Sequence, residues 1–349
     1  MAVESLAIKY RPQTFDDVSE QESIKVILNQ QLDANATKNA YLFCGGAGTG
    51  KTTCARIFAN EINHHQGNPI EMDAASNSGV EDVREIIRQA KTKSLDSEYK
   101  VFIIDECHSL SNTAWQALLK LLEEPPTKSI FIFCTTDPQK IPKTILSRVQ
   151  RYDFQRISHK GIVERLKYIL FQENEDACEH GCDGAYYSDE ESLDYIAKIA
   201  DGGMRDAITL MDKCLAFSPT LSIQNVILAL GTVDYHVMFD LSEAIFDKKV
   251  DRIIEIIETI HRSGKDLKQF IKQYMNFLLD VCKYSSLNSF EFLQIPITYK
   301  EELSSYNLYE FDVSRKLLGD MIRLNADIKW DTTPKPMIEA TLIMECEDK

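Results

Sequence analysis

The chain has 349 residues, 44% of them apolar and 27% charged, which suffices for two or three domains with sizeable cores. No apolar run approaches the length of a bilayer span, and the start MAVESLAIKYRP lacks a basic stretch followed by an apolar one. A cytoplasmic protein without a membrane partner is expected. The formal net charge of −15, from 39 Lys and Arg against 54 Asp and Glu, argues against a free-standing nucleic-acid binder. Nine scattered cysteines, among them Cys44, Cys54, Cys107 and Cys134 inside apolar segments, suit reduced buried thiols better than a disulfide framework.

Ile24, Ile27, Leu28 and Leu32 recur at helical spacing over residues 20–34. Residues 40–44 read as a buried strand entering a glycine loop, and 51–63 as a helix. A short strand is predicted over 70–74, then an amphipathic helix marked by Val80, Val83, Ile86, Ile87 and Ala90. Residues 100–105 form an apolar strand. The stripe Trp115, Leu118, Leu119 and Leu122 marks a helix that Pro125 and Pro126 stop. Strands follow over 129–135 and 150–154. Apolar strands alternating with amphipathic helices predict a parallel sheet covered on both faces.

After about residue 157 the strand signals end. Residues 158–222 read as a small helical unit, with the polar, acidic stretch 172–189 as a loop. Beyond about 232, long helices carry the stripes Ile253, Ile254, Ile257, Ile260 and Phe270, Ile271, Tyr274, Leu278, with Met321, Ile322 and Leu324 in a third. The expected domains are 1–157, an α/β nucleotide-binding core, 158–222, a helical lid, and 223–349, an all-helical collar.

The segment Gly45-Gly46-Ala47-Gly48-Thr49-Gly50-Lys51-Thr52 fits the phosphate-loop pattern, with a strand before and a helix after. Its glycines let backbone N–H groups turn toward phosphate oxygens, and the helix N-terminus adds partial positive charge. Lys51 is expected at the β- and γ-phosphates and Thr52 on Mg²⁺, with Thr53 completing the loop and ATP as ligand. About 55 residues later an apolar strand delivers Asp105 and Glu106 at its carboxyl end, the first for the magnesium shell, the second to polarise the attacking water. Thr136 reads either as a residue orienting that water or the γ-phosphate, or as part of a turn cap. Arg148 and Arg205 read from spacing alone as ordinary surface residues, Arg205 pairing with Asp201 or Asp206.

Together these segments resemble clamp-loader ATPases of the AAA+ class, in particular the gamma/tau subunits of bacterial DNA polymerase III. The likeness runs through residues 7–15, 73–76, 80–84, 119–126, 135–142 and 144–148, is strong to about residue 215 and weak thereafter. It implies an AAA+ P-loop domain followed by a lid and a collar. It implies that Arg148 serves the ATP of a neighbouring subunit in trans, although Val149 stands where the family commonly has Cys. It implies that Arg205 senses the γ-phosphate, that Thr136 is the sensor ending the fourth core strand, and that Tyr10, Arg11 and Pro12, with Val18, edge the adenine pocket. The implied partners are other clamp-loader subunits in a pentameric ring, a sliding clamp and primer–template DNA. The rival reading is another AAA+ motor or an ATP-switched assembly protein.

Two departures from the family stand out. The interval 60–72 has no cysteine where gamma/tau subunits usually carry a four-cysteine zinc module, so no structural zinc is expected; His64 and His65 read as a solvated loop. The chain also ends near the close of the third domain, which suggests a gamma-length form. Cys178, His180 and Cys182 form a cluster that reads as surface loop or adventitious metal site. Arg84, Arg88 and Lys91 share a helix face that is either a DNA-backbone contact or merely solvated.

Overall fold

In the computed structural model, which describes residues 4–94, 96–179 and 186–347, the apolar runs of the first half pair in parallel. Strands β1 (Ala40–Cys44), β2 (Ile70–Asp73), β3 (Lys100–Asp105), β4 (Ser129–Thr135) and β5 (Gln150–Asp153) form one sheet in the order β2-β3-β4-β1-β5. Alternation of side chains along each strand splits the core in two. Leu42, Phe102, Ile104, Phe131 and Phe133 meet Val83 and Ile86 of the helix Val80–Ala90 and Trp115 and Leu118 of the helix Asn112–Glu123. On the other face Tyr41, Phe43, Ile103 and Ile132 meet Leu28 of the helix Glu22–Asp33 and Ala55 and Phe58 of the helix Lys51–Ile62. Ile27 is an exception to its predicted stripe, at 41% exposure. The helix Asn112–Glu123 opens with Ser111 Oγ accepting from the Ala114 N–H (3.2 Å) and closes before Pro125-Pro126.

The residues group into two units, Met1–Gln172 with Ala200–Asp212, and Glu173–Ile199 with Lys213–Lys349. The loop expected from residue 172 is in part a helix: His159–Glu179 is continuous. Its polar end carries the good helix formers Gln172, Glu173, Glu175 and Ala177, and the Asn174 amide clips it to the chain beyond, accepting from Tyr186 N–H (2.6 Å) and donating to Tyr186 O (2.9 Å). Strand structure also recurs after residue 157, as the two-residue pair β6 (Tyr187–Ser188) and β7 (Thr220–Leu221), which is too short to leave a pattern. Of the cluster Cys178, His180 and Cys182, only Cys178 is described, as an exposed free thiol; the other two lie outside the described residues. Among the described residues no helix is long and apolar enough to cross a membrane.

The second unit is helical, led by Tyr235–Phe246, Val250–Arg262, Leu267–Leu287, Leu308–Asp327 and Lys335–Glu347. Ile253, Ile256, Ile257 and Ile260 are buried; Ile256 takes the stripe position expected of Ile254, which is half-exposed, as is Ile322. One carboxylate fixes a long connection here. Asp280, buried on the helix Leu267–Leu287, accepts from the backbone N–H of Gln294 and of Ile295 (3.0 Å) and from Lys283 Nζ (2.9 Å). Asp280→Ala would orphan two backbone donors. The urea transition of this unit should lose about 2–5 kcal/mol, as a midpoint shift at constant slope.

Candidate functional site

The loop after β1 is fixed by its backbone. Gly45 N–H donates to Thr135 O (3.2 Å), which ties the loop to the end of β4. Gly48 and Gly50 adopt φ of +68° and +97°, and a Cβ on Gly48 would lie 3.0 Å from Gly203 Cα. Gly50 is the N-cap of the helix Lys51–Ile62, whose first N–H groups have no partner within the helix. Lys51 is buried, and its Nζ donates to the carbonyls of Gly45 (3.0 Å) and Gly46 (2.6 Å). Burial pushes the ammonium below its ordinary range, opposed by the nearby carboxylates of Glu106 and Asp105. A phosphate would supply the countercharge that burial withholds.

Two strand ends bring the other polar groups here. Thr52 Oγ1 donates to Asp105 Oδ2 (2.8 Å), so a hydroxyl and a carboxylate meet directly beside the phosphate loop. That oxygen pair suits Mg²⁺, a hard cation that takes oxygen ligands. Glu106 leaves β3 with φ of +46°, an uncommon conformation for a non-glycine residue and one that recurs at functional sites. Its Oε2 accepts from Thr136 Oγ1 (3.0 Å) and faces His108 Nδ1 (3.2 Å). The turn-cap alternative for this segment belongs to its neighbours: Thr135 Oγ1 accepts from Asp137 N–H (3.0 Å), and Asp137 Oδ1 from Gln139 N–H (3.3 Å).

The pocket is lined by Tyr10, Arg11, Pro12 and Val18 together with residues 47–53, Asp105 and Glu106. Arg205 joins them from the start of the helix Met204–Phe217. The backbone holds this helix against the phosphate loop, because Met204 N–H donates to Gly48 O (3.0 Å). Asp201 is committed elsewhere, to Arg156. Gly45 and Gly46 do not line the pocket but supply the carbonyls that hold Lys51. Thr136 reaches it through Glu106.

Arg148 is not among the residues lining this chain's own pocket. Its guanidinium donates to Thr144 O (2.7 Å), Ser147 Oγ (3.1 Å) and Glu123 Oε1 (2.6 Å), at a partly exposed position. Arg84 and Arg88 pair with Glu81 and Glu85 on their own helix, and Lys91 caps its end, so that face carries both charge signs. The thiols around the site are buried and free; burial pushes Cys44 up to about 11 and Cys54 up to about 12.

Sequence reasoning missed Arg165 and His108. His108 stands three positions after Asp105 and offered only that proximity as a signal; Arg165 offered none. Arg165 lines the pocket, lies over the Tyr168 ring (4.9 Å) and donates to Tyr10 O (3.0 Å), which braces the N-terminal segment against the helix His159–Glu179. Arg165→Ala should weaken binding of a fluorescent ATP analogue about tenfold, the equivalent of roughly one charge-assisted hydrogen bond, and leave turnover at saturation unchanged.

Comparison with known proteins bears on this geometry. The family described as DNA polymerase III, delta subunit, matches residues 63–158; DNA polymerase III clamp loader subunit, ATPase lid domain, matches 183–220; and DNA polymerase III subunits gamma and tau domain III matches 221–304. The chain is 34% identical to DNA polymerase III subunit tau of Bacillus subtilis, over 99% of this chain and 64% of that protein. It is 33% identical to the tau subunit of Escherichia coli, over 80% of this chain and 45% of the relative. It is also 33% identical to DNA polymerase III subunit gamma of Buchnera aphidicola, over 80% of this chain and 81% of the relative. The chain thus spans between about half and two thirds of the tau relatives. Among solved structures, the Thermotoga maritima RuvB Holliday junction branch migration motor aligns with a TM-score of 0.50 at 20% identity, over 68% of this chain and 79% of that one; this likeness concerns the AAA+ fold alone. With a parallel-sheet phosphate-loop core, a matched lid and a matched third domain, the chain belongs to the gamma/tau family of DNA polymerase III clamp-loader subunits.

Proposed function

We propose that this chain is an ATP-hydrolysing motor subunit of a clamp loader, which opens a sliding clamp and sets it on primer–template DNA. The observation that carries the reading is the convergence in one pocket of Lys51, the Thr52–Asp105 pair and Glu106 held by Thr136. In this reading Thr52 and Asp105 hold Mg²⁺, which when bound neutralises charge on the phosphates. Lys51 exchanges its loop carbonyls for β- and γ-phosphate oxygens. Glu106 accepts a proton from the attacking water, and Arg205 reports the γ-phosphate to the lid helix. Tyr10, Arg11, Pro12 and Val18 enclose the base. The proposed domains are the core 1–157, the lid 158–222 and the collar 223–349.

Arg148 acts in trans, on the ATP of a neighbour in a pentameric ring. Its place outside its own pocket supports this role. DNA contact through Arg84, Arg88 and Lys91 is a property of the assembled ring, since the chain itself carries a net charge of −15. The test is clamp transfer onto primed circular DNA by the reconstituted complex. ATP should support it with the wild-type chain and fail to support it with Lys51→Ala. Equal transfer with both chains would remove the motor role.

A further inference from the structure

His108 lies in the short 3₁₀ turn Cys107–Ser109 that follows Glu106, with its side chain largely buried. Its Nδ1 is 3.2 Å from Glu106 Oε2 and 3.2 Å from Thr135 Oγ1. The imidazole hydrogen-bonds the Thr135 hydroxyl and stands at ion-pair distance from the carboxylate; in the tautomer that carries its proton on Nδ1 it faces both oxygens as a donor. Thr135 is fully buried, and its hydroxyl oxygen is anchored by the Asp137 N–H. The imidazole is thus wedged between the end of β4 and the carboxylate. Thr136 Oγ1 donates to the same oxygen, Oε2, from the adjacent position. The Thr136 hydroxyl and the imidazole nitrogen thus both stand against one carboxylate oxygen.

The backbone alone does not aim this carboxylate. Glu106 has left the strand in the left-handed region, and a glutamate has three side-chain torsions to fix. We propose that His108 is a positioning residue: its Nδ1–H, together with the Thr136 hydroxyl, selects the Glu106 rotamer from which the base meets the attacking water. The inference rests on Glu106 being the base. It adds that the base is held from two sides, and that the hold through Thr135 makes its orientation sensitive to the end of β4. A misplaced base loses rate without losing substrate. The cost of about 1 Å is of order 10²-fold.

The experiment uses the full chain assembled with its partner subunits and compares His108→Asn, His108→Asp and His108→Phe with wild type. Asn and Asp are isosteric, but only Asn offers a donor to Glu106. Equilibrium binding of a fluorescent ATP analogue and single-turnover hydrolysis at saturating ATP are both measured. The prediction is ATP affinity within about twofold for all three, a single-turnover rate reduced about 10²-fold in Asp and Phe, and recovery to within a few-fold of wild type in Asn. Asn as slow as Asp, or Asp as fast as wild type, overturns the proposal, and this pair decides the matter even if the Phe variant does not fold. Glu106→Gln run alongside separates the premise: if it hydrolyses at the wild-type rate, the assignment of the base has failed rather than that of its positioner.

Discussion

Glu106→Gln should bind ATP as wild type does and hydrolyse it about 10²–10⁴-fold more slowly in a single turnover. The glutamine keeps the shape of the side chain and an oxygen that still accepts from Thr136. It removes the one property a general base needs, a negative oxygen that takes up a proton. Binding is spared because the residues proposed to hold phosphate are Lys51 and the loop amides, and Lys51 is secured by Gly45 and Gly46 carbonyls rather than by Glu106. A filter-binding titration beside a quenched-flow measurement separates the two effects. A variant that loses affinity and rate together would make Glu106 a binding residue instead.

Arg148→Ala should lower the ATPase of the assembled complex about 10³–10⁵-fold while leaving that of the isolated chain unaffected. The loss corresponds to roughly 4–7 kcal/mol of barrier. Folding does not supply such a figure. The ion pair with Glu123 is partly exposed, and surface pairs of this kind are worth about 0–1 kcal/mol. The difference between assembled and isolated protein is the diagnostic, because an arginine acting within its own chain would affect both alike. Steady-state phosphate release, measured for each variant with and without partner subunits, checks it.

The parallel sheet was legible because strands buried on both faces read as unbroken apolar runs. Phe102 to Ile104 and Ile130 to Cys134 left no other reading. Lys51, Thr52, Asp105 and Glu106 were legible because phosphate chemistry demands those residue types at a strand end and a helix start. The side chains that touch these groups from behind, His108 on Glu106 and Arg165 on Tyr10, were not legible. Arg165 and Tyr10 are 155 positions apart in the chain, and His108 and Thr135 are 27 apart. No periodicity marks such a pair. The end of the helix His159–Glu179 was misread for a different reason: its acidic surface resembles a loop, and the Asn174 clip that retains it is visible only once the chain returns. The side-chain stripes erred at Ile27, Ile254 and Ile322, because a helix that packs on one side only tolerates an apolar residue at the edge of its buried arc.

The most direct test of the clamp-loader assignment is steady-state ATPase of the purified chain, alone and with partner subunits, clamp and primer–template DNA. A slow basal rate that rises strongly on full assembly, and that Arg148→Ala returns to the basal level with ATP binding intact, is the predicted result. A chain that hydrolyses ATP at one rate, indifferent to partners, clamp, DNA and Arg148, would contradict the account.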